Sequence, residues 1–372
     1  MLRLGGATAD RSAAGTVTQA DLAALAVLVR RTGWRVLLTA DLGHYDPAAA
    51  AQEVATAHAD LGQALIGVSI GNEPDRFVAD GLRPVGYRFD DYVREVRAYR
   101  AAIDRIWPRA PLAGPGVSSY PPNLDWVPAF ASAVHPALLS AHYYPLSACG
   151  PPAPTAVDLL SASRLRAQAA LLARMAAIAR GAHTPLRIDE TNDVACRGEP
   201  GVSDTFAAAL WAAGFIGQAM SAQLDGVNLH DLPAEPTGYA PLAAASPAAL
   251  AAGQLTAEPQ WYALRLARPL VGERPLPVRV RPGGLDVGVT AALTAGGRVR
   301  VLIVDDEAPG AEPLRVRIPL ETARSSPVSL VRLSAPSPEA TTGVMLTAGP
   351  VAGTTVTVPA SSAALLTLVP RR

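Results

Sequence analysis

The chain has 372 residues, with 32 acidic and 32 basic side chains and a formal net charge of zero. Hydrophobic residues make up 49%, which supports a large core and gives no compositional case for disorder, while the charge balance gives no electrostatic reason to expect nucleic acid or an anionic membrane as partner. The apolar runs are shorter than the roughly 20 residues of a transmembrane helix, and two cysteines are too few for a disulfide framework or a four-cysteine zinc site.

Residues 2–6 read as a buried strand. They lack the basic and apolar regions of a signal peptide, as though the chain opened inside a domain. Thr18 is placed to cap a helix ending near Gly33. A strand at 35–40 follows. Asp46-Pro47 then starts an Ala-rich helix that stops at Gly62, giving N-cap, first-turn proline and C-terminal glycine in order. Further strands are predicted at 65–71, 111–115 and 138–143. Thr155 opens a long helix with Leu159, Leu165, Leu172 and Met175 on its apolar side, ending near Gly181. A strand at 185–190, a helix capped by Ser203 and running through Trp211 and Phe215, and a strand at 225–230 come next. Trp261 and Tyr262 lie on a last helix, where core packing is their expected role.

This alternation of strands and helices argues for a parallel sheet. Repeated βα units without a second compositional break predict an α/β fold of the (β/α)8 TIM type over residues 1–270, as the catalytic domain. Seven strands are predicted where a closed barrel has eight. The first strand is therefore expected upstream of residue 1, and the domain is expected to be N-terminally incomplete. An open α/β sheet is the competing arrangement. The Pro-rich stretch Arg274 to Pro282 reads as a linker. Beyond it, segments 285–291, 297–304, 313–319, 327–333, 353–358 and 363–369 are short, rich in Val, Leu and Thr, and broken by Gly or Pro. The pair around Ala295-Gly296-Gly297 reads as a hairpin. Residues 275–372 are predicted to form a small all-β sandwich domain.

Catalytic groups of such barrels come from the C-terminal ends of strands. Here one strand runs into Asn72-Glu73-Pro74, another ends in His142-Tyr143-Tyr144, a third in Asp189-Glu190-Thr191-Asn192, and the last carries Asn228 and His230. Two carboxylates on one rim are the minimum equipment for glycoside hydrolysis, and in a retaining enzyme they sit about 5–5.5 Å apart. One protonates the leaving oxygen and the other attacks the anomeric carbon. Asn72 is placed to bind a sugar hydroxyl, and Tyr143 to donate to the nucleophile. Asp189 precedes Glu190 and is expected to point to the opposite side of its strand in a structural role.

Ile70-Gly71-Asn72-Glu73-Pro74-Asp75 resembles the Asn-Glu-Pro acid/base motif of clan A retaining glycosidases. More narrowly, the chain resembles glycoside hydrolase family 79, which holds β-glucuronidases and heparanases. Gly5-Gly6-Ala7-Thr8-Ala9-Asp10 is similar to the family's second-strand motif, and His142-Tyr143-Tyr144 to its sixth-strand motif. Glu190-Thr191-Asn192 and the run Gly201-Val202-Ser203-Asp204-Thr205-Phe206-Ala207 resemble its nucleophile segment and the helix after it. The resemblance implies Glu73 as acid/base, Glu190 as nucleophile, and a retaining O-glycosidase of β-glucuronidase type acting on a carbohydrate. The family's glucuronidases often recognise the sugar carboxylate with a Tyr and a Gly shortly after the nucleophile. Ala195 and Arg197 stand there instead, and Ala7 stands where the family usually has a hydrogen-bonding side chain. Arg197 is a candidate partner for a substrate carboxylate.

Asn192, His230 and Tyr239 complete the candidate substrate contacts. A lone histidine is more commonly a hydrogen-bonded core residue, and for His142 and His230 that reading stands beside substrate contact. Gly67-Val68-Ser69-Ile70-Gly71 matches the G-x-S-x-G pattern of serine hydrolases, but Ser69 falls inside an apolar strand, and the match reads as chance. Cys149 and Cys196 follow adjacent predicted strands, so a disulfide clamping two loops is plausible and would imply an oxidising compartment, with an extracellular or cell-surface full-length protein. Two unpaired thiols are the alternative. Zinc, P-loop and dinucleotide motifs are absent from the sequence, and no metal or cofactor is expected. The competing functions are a non-catalytic carbohydrate-binding protein on a degenerate or truncated barrel, and a serine esterase using Ser69.

Overall fold

The computed structural model describes residues 1–11, 17–118, 121–234, 239–281, 283–317, 325–349 and 355–370. They form two compact units. The first comprises Met1–Tyr143, Met175–Thr191 and Leu224–Leu229; the second comprises Tyr144–Arg174, Asn192–Gln223 and His230–Arg372.

The first unit is built on a seven-stranded parallel sheet: β1 (Leu2–Leu4), β2 (Val36–Ala40), β3 (Leu65–Ile70), β4 (Leu112–Val117), β5 (Leu138–Tyr143), β6 (Leu186–Thr191) and β7 (Gly226–Leu229). Each strand pairs with its neighbour in chain order. A doubly wound sheet reverses its strand order at a switch point, and no such reversal occurs here. The Asn228 amide of β7 donates to the Met1 carbonyl beside β1 at 3.2 Å, so the sheet nearly closes on itself. This near-closed barrel replaces the open-sheet alternative. Val36, Leu37, Leu38 and Ala40 are all fully buried, as expected of a parallel strand covered on both faces.

Helices α1 (Ala7–Arg11), α2 (Gln19–Thr32), α3 (Pro47–Leu61), α4 (Phe89–Ile103) and α5 (Trp126–Val134) alternate with these strands. Thr18 and Asp21 form a capping box at the start of α2, and Gly33 ends it at φ 69°. The Asp46 side chain accepts from the amides of Ala48 and Ala49, and Pro47 opens α3. The long helix expected from Thr155 is broken. Thr155 caps one turn, Ala156–Leu159, and α6 begins afresh at Ala162–Ala182. The Asp158 carbonyl, which would continue the first helix, instead accepts from Ser161 Oγ at 3.0 Å and Arg164 Nε at 3.1 Å.

In the second unit, α7 (Phe206–Ser221) starts after Thr205 rather than at Ser203. Ser203 Oγ is occupied elsewhere, donating to Asp193 at 2.9 Å and accepting from the Glu199 amide at 3.1 Å. Phe206, Leu210, Trp211 and Phe215 are essentially inaccessible, so α7 is buried on most of its circumference. Helix α8 (Pro259–Ala267) carries Trp261 and Tyr262, both partly buried.

Eight strands follow: β8 (Arg274–Leu276), β9 (Val287–Leu293), β10 (Val299–Asp305), β11 (Leu314–Arg317), β12 (Ser325–Ser334), β13 (Met345–Gly349), β14 (Thr355–Val358) and β15 (Ser362–Pro370). Six form an antiparallel sheet in the order β8-β9-β10-β15-β12-β13, and β11 pairs with β14. Ile303, Leu330 and Leu366 of the large sheet share one core with Leu314, Val356 and Val358 of the small one, which makes a sandwich. Two local expectations change. The predicted linker begins as edge strand β8, where Pro275 is tolerated because one side of the strand is unpaired. Strand β13 lies in a segment that the sequence did not mark. Positions 318–319, 353–354 and Pro282 of the predicted segments lie outside the described residues.

One glycine in the barrel unit is fixed by a backbone approach. A Cβ on Gly43 would lie 2.0 Å from the Asp10 carbonyl oxygen, which cannot rotate away. Gly43→Ala is expected to destabilise the unit by about 1–3 kcal/mol, the usual range for overpacking. Urea denaturation monitored by circular dichroism checks this; an unchanged midpoint would show that the loop relaxes freely.

Candidate active site

Strand β3 delivers Glu73 through a tight turn. Gly71 adopts φ 78°, and Glu73 itself sits in the left-handed region at φ 51°, ψ 54°. A non-glycine residue held there stores roughly 1–3 kcal/mol of strain, so the surroundings must determine the conformation. Three backbone donors do so. Gly71 donates to the Ala40 carbonyl at 3.0 Å, Glu73 to the Gly116 carbonyl at 3.0 Å, and Asn72 to Asp10 Oδ2 at 2.6 Å. Asp10, only 1% exposed, also accepts from the amides of Leu42 at 2.7 Å and Gly43 at 3.0 Å. One carboxylate therefore ties α1 to the ends of β2 and β3. Burial raises its pKa to about 6, against the pull of the three backbone donors.

Glu190 reaches the same place from β6. The pairing of β5 with β6 shifts register between Ala141 and His142, so that His142 lies opposite Glu190. This irregularity corrects the expectation for Asp189. Its side chain is not on the far side of the strand, but belongs to the same buried cluster, because an irregular strand breaks strict two-residue alternation. Arg3 of β1 binds this cluster, and the sequence reading passed over it as one polar residue in an apolar strand. Its Nη1 donates to Glu190 Oε2 at 2.7 Å, its Nη2 to Asn72 Oδ1 at 2.7 Å, and its Nε lies 3.4 Å from Asp189 Oδ2. The available signal was the placement of an arginine at the middle of β1, where a buried charge needs partners.

His142 completes the cluster from β5. Its Nδ1 lies 2.9 Å from Glu73 Oε1 and 3.9 Å from Glu190 Oε1, and its Nε2 lies 3.6 Å from Asp189 Oδ1. The ring has no exposed surface, so His142 supports the carboxylates from beneath and is not a direct sugar contact. Burial opposes its positive charge, but Glu190, the hydrogen bond to Glu73 and Asp189 outweigh that and raise its pKa to about 9.

Glu73, His142 and Glu190 each offer an atom within 4.8 Å of the others, so the two glutamate carboxylates approach to that range. Such a distance matches the roughly 5–5.5 Å of retaining glycosidases rather than the 6.5–9.5 Å of inverting ones. The same three groups have the donor types of a metal site. Arg3 and His142 lie among these carboxylates as their basic partners. Asn72 is 5% exposed; its backbone N–H donates to Asp10 Oδ2 and its side-chain oxygen accepts from Arg3 Nη2.

No protein-family model matches the chain, and no curated protein matches it. Solved structures do. A 4-O-α-L-rhamnosyl-β-D-glucuronidase from Fusarium oxysporum 12S aligns over 98% of this chain and 87% of its own, at 18% identity and a TM-score of 0.73. A family 51 arabinofuranosidase from Xanthomonas axonopodis pv. citri aligns over 98% and 86%, at 17% identity and a TM-score of 0.73. A family 44 xyloglucanase from Paenibacillus polymyxa aligns over 93% and 82%, at 11% identity and a TM-score of 0.63.

This chain shares the barrel fold of these glycoside hydrolases. Its barrel unit brings Arg3, Asn72, Glu73, His142, Asp189 and Glu190 together. Tyr143 is buried at the end of β5, where its carbonyl accepts from Thr191 Oγ1 at 2.6 Å. Ser69 is 2% exposed within β3, so it offers no exposed nucleophile for the esterase reading.

The other predicted residues belong to the second unit of the glycosidase fold. Asn192 is fully buried, donating to the carbonyls of His230 at 2.9 Å and Tyr239 at 2.8 Å and accepting from Gln260 at 2.7 Å and the Asp193 amide at 2.8 Å. Its amide capacity is thereby used, which makes it a scaffold residue rather than a sugar contact. Tyr239 is also fully buried, its ring edge-on to His230 at 5.4 Å, so its expected sugar contact gives way to packing. His230 Nδ1 lies 3.0 Å from the Tyr144 hydroxyl. Arg197 is exposed at φ 77°, directly after Cys196. Cys149 and Cys196 form a disulfide, next to a short pairing of Leu146–Ser147 with Val194–Ala195. Among the described residues, no helix is long and apolar enough to cross a membrane.

The raised pKa of His142 links stability to pH. Its contribution is complete below the ordinary value of 6.5 and is lost as pH rises through about 9. Folding stability is therefore expected to fall as pH rises from about 6.5 to about 9, by on the order of a few kcal/mol. Chemical denaturation at a series of pH values measures it, and His142→Gln is expected to flatten that part of the curve.

Proposed function

We propose that this protein is a retaining glycoside hydrolase acting on β-glycosides, with β-glucuronides as the leading substrate class. The observation that carries the reading is the approach of the Glu73 and Glu190 carboxylates to within 4.8 Å at the strand ends of a near-closed barrel. The hydrogen bond from Arg3 to Glu190 supports the reading of Glu190 as the nucleophile. Glu190 attacks the anomeric carbon while Glu73 delivers a proton to the departing oxygen. Glu73, now a carboxylate, then takes a proton from water, which attacks the glycosyl–Glu190 ester and regenerates the enzyme with net retention. Asn72 holds a sugar hydroxyl beside this ester, and Tyr143 is assigned as a donor to the nucleophile.

The narrower reading has independent supports. The family 79 resemblance of the ordered motifs favours a uronic acid substrate, and the Fusarium neighbour is itself a β-D-glucuronidase by name. Arg197 is the cation proposed for the substrate carboxylate, with His230 as a further sugar contact. Residues 1–270 are proposed as the catalytic domain and 275–372 as the β-sandwich domain. The Cys149–Cys196 disulfide fits an extracellular or cell-surface location.

Hydrolysis of 4-nitrophenyl β-glucuronide, β-glucoside and α-L-arabinofuranoside tests the assignment, with the β-glucuronide expected to give the highest kcat/KM. Glu190→Ala is expected to abolish turnover. Glu73→Ala is expected to slow substrates with poor leaving groups by about 100-fold or more and good ones least. Unaltered rates in both variants would end the reading, and sugar binding without turnover would support a non-catalytic carbohydrate-binding protein.

A further inference from the structure

The deepest part of the cluster has no task in the double displacement as written. Glu190 and Glu73 do the chemistry at the surface, yet His142, with no exposed surface, lies directly beneath them. Its Nδ1 is at hydrogen-bonding distance from Glu73 Oε1, 2.9 Å, but 3.9 Å from the nearer oxygen of Glu190. The ring thus serves the acid/base rather than the nucleophile. Its other nitrogen faces Asp189 Oδ1 at 3.6 Å, and Asp189 is 1% exposed. The neighbouring position on β4 is Gly116, where even a Cβ would stand 3.6 Å from the ring nitrogen.

The charged groups around His142 divide the work. From β6 come Asp189 and Glu190, and from the end of β3 comes Glu73. Arg3 from β1 neutralises Glu190 through a direct hydrogen bond and approaches Asp189 through Nε at 3.4 Å. Glu190 therefore has its own cation. Glu73 has none within this set except a protonated His142.

We propose, on the glycosidase reading above, that His142 stores the proton that Glu73 delivers, so that the working acid/base is a Glu73–His142 pair held by Asp189. In the first step the Nδ1–H proton of the imidazolium passes to Glu73 across the 2.9 Å contact, and the carboxylic acid so formed protonates the departing glycosidic oxygen. The C–O bond breaks, the Glu190–carbon bond forms, and neutral imidazole and a Glu73 carboxylate remain. In the second step water gives a proton to Glu73, hydroxide oxygen joins the anomeric carbon, Glu190 leaves, and the proton returns to Nδ1. Protons balance over the cycle. The pair titrates as a unit, and the raised pKa of His142, about 9, is consistent with proton storage in the resting enzyme. His142 is thus a positioning residue that acts through Glu73, and it does not touch the sugar.

The test compares methyl and 4-nitrophenyl glycosides of the same sugar, β-D-glucuronide first, with wild type, His142→Gln and Asp189→Asn. In wild type the alkaline limb of kcat/KM is expected near pH 9. In His142→Gln it should move into the carboxyl range, and kcat for the methyl glycoside should fall by about 100-fold while the 4-nitrophenyl glycoside loses less than about 10-fold, with KM little changed. Asp189→Asn should move the limb in the same direction by a smaller amount. Equal losses on both substrates with an unmoved limb would overturn the proposal and leave His142 as a structural support. Nitrogen-15 NMR of the intact wild-type protein gives a readout independent of turnover. Both ring nitrogens of His142 should be protonated at pH 7.5, and Glu73→Gln should lower the pH at which the proton leaves. A neutral ring at pH 7.5 would overturn the proposal. Loss of turnover in Glu190→Ala alongside that result would leave the glycosidase reading standing.

Discussion

The arrangement depends on two cations set among three carboxylates. Arg3 and His142 are interleaved with Glu73, Asp189 and Glu190, and Asp189 and His142 are almost wholly removed from water. An uncompensated charge in such a place costs several kcal/mol. The pairing satisfies that requirement while leaving a side of Glu73 and Glu190 accessible. Each of the two glutamates then has a different partner, a permanently charged guanidinium for Glu190 and a titratable ring for Glu73. In the proposed mechanism, chemically identical side chains take different roles through these partners rather than through their own covalent structure.

The polar cluster is held by backbone that is itself tied to a buried side chain. Asp10 accepts three main-chain donors from two loops, including the amide beside Glu73. Gly43 presses against the Asp10 carbonyl, and Glu73 lies against the Gly116 carbonyl. The loops at the ends of β2, β3 and β4 are thereby linked through backbone groups and one buried carboxylate. In the second unit the corresponding fixing is done by Asn192, Asp193, Ser203 and Gln260, whose side chains and neighbouring amides form one buried network.

Much of this was legible before the structure. The seven barrel strands are apolar runs, four of them ending in functional groups, and strand ends place Glu73 and Glu190 on one rim. The caps at Thr18 and Asp46 carry local chemistry that needs no tertiary context. What escaped was whatever depends on contacts distant in sequence. Arg3 is 187 residues from Glu190, and a single arginine in a short strand carries no period or motif. The turn of Asp189 into the cluster follows from a register shift between two strands, which alternation along one strand cannot show. Asn192 and Tyr239 are sugar-contact candidates by residue type, but the Asn192 side chain bonds to His230, Tyr239 and Gln260, 38 to 68 residues away in the chain. Polar residues at a rim look the same in sequence whether they face a ligand or hold a loop.

The left-handed backbone of Glu73 has an evolutionary consequence. Glycine or asparagine occupies that region at little cost, whereas glutamate does not. Selection for thermal robustness alone would favour replacing the proposed acid/base. Lineages in which the reaction ceased to matter should therefore lose this glutamate early and become sturdier, inert descendants of the same barrel.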